Sequence, residues 1–100
     1  MTVPDEALHR FRLYVAGEAQ NSLAAIANLQ AICDRHLPAQ HRIEVIDLVR
    51  EPMRGIDDGV LLTPMLVRLA PGSVRRVVGS LSDTDAVLRT LGLSVSASLP

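Results

Sequence analysis

A strand–helix–strand pattern in the first half is the feature that most constrains the fold of this chain. Residues 10–16, RFRLYVA, alternate between polar and apolar side chains and then become continuously apolar, which is typical of a strand covered on both faces. The next segment repeats apolar residues at helical spacing: Leu23, Ile26, Leu29, Cys33 and Leu37. Residues 42–49, RIEVIDLV, predict a second strand. A strand, a long helix and a strand in this order predict a right-handed βαβ unit with parallel strands.

The loop at 17–22, GEAQNS, joins the first strand to the helix and has the position of an active-site loop. Open α/β proteins place chemistry at such loops, because helix-start N–H groups and the carboxyl ends of strands meet there. Gly17 ends the apolar run, and either Asn21 or Ser22 is expected to cap the helix by accepting a hydrogen bond from a free backbone N–H.

The second half begins with a segment, residues 52–60, that favours a helix only weakly. Gly55 and Gly59 each cost such a helix about 1 kcal/mol relative to Ala, although Pro52 suits a first helical turn. The apolar residues that would share one face of the helix are Met53, Ile56 and Val60.

Two strands and a last helix complete the predicted order. Residues 63–69 and 74–79 flank a short turn and predict an antiparallel hairpin. Ser82, with Asp85 three residues later, resembles a capping box before a helix that ends at Gly92. The order βαβ, short helix, ββα is that of a thioredoxin-like α/β sandwich with a mixed four-stranded sheet.

The chain length of 100 residues predicts one domain, 1–100. We expect its ends, 1–8 and 94–100, to be loose.

The cysteine content argues against a thioredoxin-type enzyme. Such an enzyme needs a thiol in the loop after the first strand, where a helix N-terminus lowers its pKa. Loop 17–22 has no cysteine, and Cys33, the single cysteine of the chain, lies on the apolar face of the helix. We therefore expect Cys33 to be a core residue. Thr63-Pro64 occupies the position of the cis-proline of thioredoxin-like folds, and the sequence leaves both isomers open.

No set of side chains predicts a metal or cofactor site. Cys33, His36 and His41 have ligand-like spacing, but no further ligand completes a zinc set, and no phosphate-binding glycine motif is present. Asp47, at the end of the second strand, either contacts the first loop or is a solvated carboxylate; the solvated form is the simpler interpretation.

The charge balance excludes nucleic acid as an expected partner. Ten arginines face eleven acidic residues, evenly in both halves, and the only aromatic residues are Phe11 and Tyr14. No apolar run is long enough to cross a bilayer, and the first ten residues lack the apolar core of a signal peptide. We therefore expect a cytoplasmic protein that does not associate with membranes.

Four segments closely resemble the KaiB family of circadian-clock proteins. They are LYVAG at 13–17 with the Asn21-Ser22 pair, IEVIDLVREP at 43–52, LLTPMLVRLAP at 61–71 and VRRVVGSLSD at 74–83. The register is gapless over about 10–93. Sensor domains of clock histidine kinases such as SasA share the fold, but the Asn-Ser pair and the G-x-L-S-D element favour KaiB.

The resemblance implies a non-enzymatic adaptor that binds the ring-shaped ATPase KaiC and regulates its phosphorylation state. In cyanobacteria the complex then sequesters KaiA, so KaiA is a further partner where the source has it. The family also switches fold: a tetrameric ground state keeps the first βαβ part and rearranges the half corresponding to 50–93, whereas the rarer thioredoxin-like monomer binds KaiC. Self-association into a tetramer or dimer is therefore expected.

Two groups of residues are candidates for these functions. For partner binding, where they would surround the first loop, the candidates are Pro52, Met53, Asp58, Thr63, Pro64 and Arg68. For structure or switching, they are Gly17, Asn21, Ser22, Pro64, Pro71, Gly79, Ser82 and Asp83. The alternatives are a KaiB homologue in KaiC-linked stress signalling outside a clock, and a thioredoxin-like redox enzyme that uses Cys33.

Overall fold

The structure, a computed structural model, describes residues 8–93. Its elements in chain order are β1 His9–Val15, α1 Gln20–His36, β2 His41–Asp47, α2 Pro52–Asp57, β3 Met65–Ala70, β4 Arg75–Val78 and α3 Thr84–Thr90. The predicted order of strands and helices is confirmed. The expectation of loose ends at 1–8 and 94–100 lies, apart from Leu8, outside the described residues.

The four strands form one mixed sheet in the order β2-β1-β3-β4. β1 and β2 are parallel, with Phe11 opposite Ile43, as a right-handed connection through α1 requires. β3 runs antiparallel to both β1 and β4. The start of β3 therefore lies beside the end of β1, where the first loop begins.

Apolar side chains alternate between the two faces of the sheet. One face, with Phe11, Leu13 and Val15 from β1, packs against α1 and α3 in the larger core cluster. The other face carries a smaller cluster: Tyr14, Ile46, Met65 and Val67. This alternation places successive residues of β1 in different environments.

The predicted helix caps were wrong at both helices. α1 begins at Gln20, one residue before Asn21, and no side chain caps it. Ser22 is instead buried, and its hydroxyl accepts a hydrogen bond from the backbone N–H of Ala16 at 3.1 Å. At α3 the cap is Asp83 rather than Ser82, because the Asp83 carboxylate accepts from the N–H of Ala86 at 3.1 Å.

The apolar residues predicted to share one face of α2 are mostly exposed, and Val60 lies outside the helix. This helix has six residues and buries only Gly55, which lies against the side chain of Leu48. Met53 and Ile56 are 62% and 71% exposed. Val60, beyond the end of the helix, is the one member of the predicted set that packs against the smaller core cluster. A helix this short gains little stability from its own hydrogen bonds.

Candidate functional site

The first loop is held in shape by a carboxylate from the second strand. Gly17 has a left-handed backbone, φ 58°, and its N–H donates to Oδ1 of Asp47 at 2.9 Å. The same oxygen accepts from the N–H of Val49 at 2.9 Å. These two N–H groups lower the pKa of Asp47. The interpretation of Asp47 as a merely solvated carboxylate was therefore wrong.

The first loop contains no thiol, and the environment of Cys33, the one cysteine of the chain, disfavours redox chemistry. Cys33 is fully buried in α1, and burial raises its pKa to about 12, with a smaller contribution from Asp34. This confirms the prediction of a core cysteine. Among residues 8–93, no three His, Cys, Asp or Glu side chains come together as metal ligands. Nor does any helix in that range have the length and apolar composition to cross a bilayer.

The start of β3 adjoins the first loop, as predicted for a thioredoxin-like frame. The Thr63-Pro64 bond is cis, Thr63 is exposed and Pro64 is buried. The carbonyl of Pro64 accepts from the N–H of Gly79 at 2.9 Å, which ties the start of β3 to the end of β4. At the far end of β3, the Ala70-Pro71 bond is also cis.

Five large apolar side chains are exposed in the segment 49–62, which contains α2. Leu61 is 90% exposed, which is extreme for a leucine. We call this surface the α2 patch; its members are Val49, Met53, Ile56, Leu61 and Leu62. Pro52, the first residue of α2, is exposed beside it. Large exposed apolar surfaces on a small protein mark sites of interaction.

Behind α2 lies a network of polar side chains that sequence reasoning missed, apart from Asp58. The Tyr14 hydroxyl donates to the Asp58 carboxylate, and Arg12 lies 3.5 Å from the same oxygen. Arg12 also approaches Glu44 at 3.4 Å, and Arg54 of α2 donates to Glu44 at 2.9 Å. Arg12 and Tyr14 lie two positions apart in β1. This spacing was the sequence signal that could have predicted the network, because it places both side chains on the face of the sheet that carries α2.

Contacts within the network shift the pKa values of Tyr14 and Glu44. Burial raises the pKa of Tyr14, and the hydrogen bond to Asp58 adds to this effect. The hydrogen bond from Arg54 lowers the pKa of Glu44. Both carboxylates are thus engaged with cations of the chain itself, and Asp58 holds the C-terminal end of α2 against β1.

Arg68 does not lie where the sequence analysis expected it. It is opposite Phe11 in the sheet register, away from the first loop, and only 6% of its surface is exposed. Its guanidinium donates to the carbonyls of Leu91 at 2.6 Å and Ser73 at 3.1 Å. Arg68 therefore fastens the end of α3 and the β3–β4 turn in this fold, where burial lowers its pKa.

The other candidates fall into two groups. Thr63 and Pro64 directly precede β3, whose first residue Met65 pairs with Tyr14 near the end of β1. Pro52 and Met53 lie in α2, and Asp58 follows its last residue. Gly79 has a left-handed backbone, φ 113°, directly after β4. Ser82 is exposed, and Pro71 is half-buried at the opposite end of β3.

Comparison with known proteins identifies the family. The model of the KaiB domain matches residues 12–93 of the chain. The chain belongs to the KaiB family. It is 37% identical over 84 residues to the circadian clock protein KaiB3 of Synechocystis sp., spanning 84% of this chain and 80% of that protein. It is 38% identical over 82 residues to the circadian clock oscillator protein KaiB of Prochlorococcus marinus, spanning 82% of this chain and 78% of that protein.

Solved structures place this KaiB-family chain in the thioredoxin-like fold. The N-terminal domain of Synechococcus elongatus SasA superposes with a TM-score of 0.71 at 18% identity, covering 97% of this chain and 95% of that domain. Mitochondrial thioredoxin 3 of Saccharomyces cerevisiae gives a TM-score of 0.67 at 14% identity, with coverage of 85% and 78%. At these identities the likeness concerns the fold alone. The predicted fold class and the family resemblance are both confirmed.

Proposed function

We propose that this KaiB-family chain is a non-enzymatic adaptor that docks onto a KaiC-type ring ATPase in its thioredoxin-like form. The observation that carries the proposal is the α2 patch. It exposes five large apolar side chains within residues 49–62, whereas the rest of the described chain exposes four: Leu23, Val45, Val74 and Val78. Such a surface favours burial against a partner by about 25 cal/mol per Å² of apolar area.

The first loop supports a binding role over a redox role. Its backbone is occupied by Asp47, it carries no thiol, and Cys33 is buried with a pKa of about 12. A reactive cysteine would need the opposite environment, with partial exposure and a lowered pKa. The same adaptor would serve a clock or KaiC-linked stress signalling, and KaiA would be a further partner in an organism that contains it.

The decisive experiment mixes the full chain with KaiC from the same source and ATP and records native mass spectra. We expect masses of a KaiC ring with bound copies of this protein. The double variant Met53→Gln/Ile56→Gln should weaken binding at least tenfold, because both side chains are exposed here and would be desolvated in the complex. The matched control is Leu23→Gln, which removes a half-exposed apolar side chain from α1.

Two results would contradict the proposal. One is the absence of any complex after prolonged incubation over a wide range of concentrations. The other is equal binding by the double variant and the control, which would place the contact away from the α2 patch.

A further inference from the structure

The second face of the sheet is only partly covered by its helix. An α/β sheet normally has both faces covered, and here α1, with 17 residues, and α3 cover the first face. The second face has α2, whose six residues span only about 9 Å. The part of this face near the start of β1 and the end of β3 is left open as a shallow groove of about 610 Å³. We call it the basic groove; its polar and apolar lining includes Arg10, Arg12, Arg42, Glu44 and Leu69.

Two arginines lie side by side in this groove. Arg10 and Arg42 are register partners on the parallel strands β1 and β2, so their side chains leave the same face about 4.8 Å apart. Both are exposed, and no ion pair connects either of them to another residue within 8–93. Like charges directly across neighbouring strands repel each other. Each guanidinium is a planar fork of N–H donors that can bind one carboxylate in bidentate fashion.

The acidic residues at the border of the groove do not neutralise this pair. Glu44 is engaged by Arg54 at 2.9 Å and Arg12 at 3.4 Å. Asp58 is engaged by Tyr14 and Arg12. Within residues 8–93, neither Arg10 nor Arg42 is paired with a carboxylate, so we expect an external anion to pair with them.

The floor of the groove is apolar and continues toward β4. Leu69 and Arg12 also line a second hollow of about 280 Å³. The other residues that line this hollow are Tyr14, Val67, Val74, Arg76 and the acidic residues Asp57 and Asp58. Val74 is more than half exposed there. The two aromatic residues of the chain, Phe11 and Tyr14, are at least 98% buried and offer no ring for a nucleic-acid base to stack on. A surface of arginines around aliphatic side chains therefore suits a protein segment better than a nucleic acid.

We propose that the basic groove binds an acidic, amphipathic segment of a partner protein. Its carboxylates pair with Arg10 and Arg42, and its apolar side chains cover Leu69 and Val74, which completes the layer that the short α2 leaves open. The groove contains no member of the α2 patch, so this inference does not depend on KaiC docking.

The experiment titrates the isotope-labelled full chain with two synthetic peptides and follows backbone amide shifts by NMR. One peptide is an amphipathic sequence of Glu and Leu, and the other has every Glu replaced by Gln. We expect the acidic peptide to shift amides of the groove segments 10–12, 42–44 and 69–70 and to bind at least tenfold more tightly than the Gln peptide. Raising the salt concentration should weaken the binding of the acidic peptide.

Arginine variants then test the anchors. Arg10→Gln/Arg42→Gln should lose at least tenfold in affinity for the acidic peptide. The control Arg35→Gln/Arg89→Gln makes the same change in net charge on exposed residues of α1 and α3, and should stay within twofold of the parent protein. The amide shifts of the unsubstituted chain test where the peptide binds, even if a variant does not fold.

Any of four outcomes overturns the inference. These are no shifts at millimolar peptide, equal affinity for the two peptides, equal losses in the two double variants, or equal binding of single-stranded RNA to the same amides. Concentration-dependent shifts of the groove amides without peptide would also overturn it, because they would assign the groove to a second copy of this chain.

Discussion

Cys33 is the residue whose chemistry most clearly separates this protein from thioredoxin-type enzymes. Its thiol is fully buried in the larger core cluster, where the charged thiolate would be desolvated. Its pKa of about 12 implies that roughly one thiol in ten thousand is ionised at pH 8, whereas an exposed cysteine with a pKa near 8.5 is about one-quarter ionised. Asp47 meanwhile accepts from the Gly17 N–H at the start of the first loop and from the Val49 N–H after β2.

We therefore expect Cys33 in the folded chain to react with iodoacetamide at pH 8 at least a thousandfold more slowly than in the urea-unfolded chain. Because folding raises the thiol pKa, the contribution of Cys33 to stability is complete below about pH 8 and declines at higher pH, where the unfolded thiol ionises. Mass spectrometry of alkylated protein over time measures the rate, and the unfolded chain is the internal reference. Equal rates in the two states would reopen the redox alternative.

At the scale of secondary-structure elements, the apolar periodicity of the sequence predicted the strands and α1 correctly, whereas the predicted helix caps were wrong. The two parallel strands and α1 follow from long apolar patterns that tertiary packing reinforces, and they are found within a few residues of the predicted bounds. Ser22 does not cap α1, because its hydroxyl accepts a hydrogen bond from the backbone N–H of Ala16 inside the fold. The sequence places Met53 and Ile56 on one face of α2, and both are exposed, because this helix approaches the Leu48 side chain through Gly55. A sequence pattern does not report how closely a short helix approaches its neighbour.

The close approach at Gly55 gives a prediction for α2. In an exposed helix Gly→Ala gains up to about 1 kcal/mol, but a Cβ at Gly55 would lie 2.9 Å from the Leu48 side chain. Crowding of this kind typically costs 1–3 kcal/mol, so we expect Gly55→Ala to destabilise the chain by about 1 kcal/mol in urea unfolding. In a Leu48→Ala background the crowding atoms are gone, and the same substitution should become neutral or stabilising. An equal effect in both backgrounds would contradict this packing.

At the scale of the whole molecule, the two halves of the chain share both core clusters, whereas few polar side-chain contacts join them. Besides the β1–β3 pairing, Tyr14 and Arg12 hold Asp58, Arg54 donates to Glu44 at 2.9 Å, and the Asn28 side chain donates to the carbonyl of Ser80 at 2.8 Å. The fold switch implied by the KaiB resemblance would retain the first half and rearrange residues 50–93. Every one of these contacts crosses that boundary, so each should favour the thioredoxin-like form over the alternative.

Tyr14→Phe tests this view, since it keeps the buried ring and removes only the hydroxyl that donates to Asp58. A hydrogen bond to a charged group contributes about 1.5–3 kcal/mol, so the ratio of thioredoxin-like to alternative form should fall roughly 10- to 150-fold. The KaiB resemblance implies the order helix-helix-strand over residues 50–93 in the alternative form, so NMR secondary shifts of residues 84–90 distinguish a helix, as in α3, from a strand. Dilution should raise the helical population in both proteins, because a tetramer is favoured at high concentration by mass action.

Gln30→Ala, which breaks the Gln30–Asp34 contact within α1, is the control and should leave the ratio unchanged. A single helical set of peaks at every dilution, in the parent chain and in Tyr14→Phe alike, would show that this KaiB-family protein does not switch.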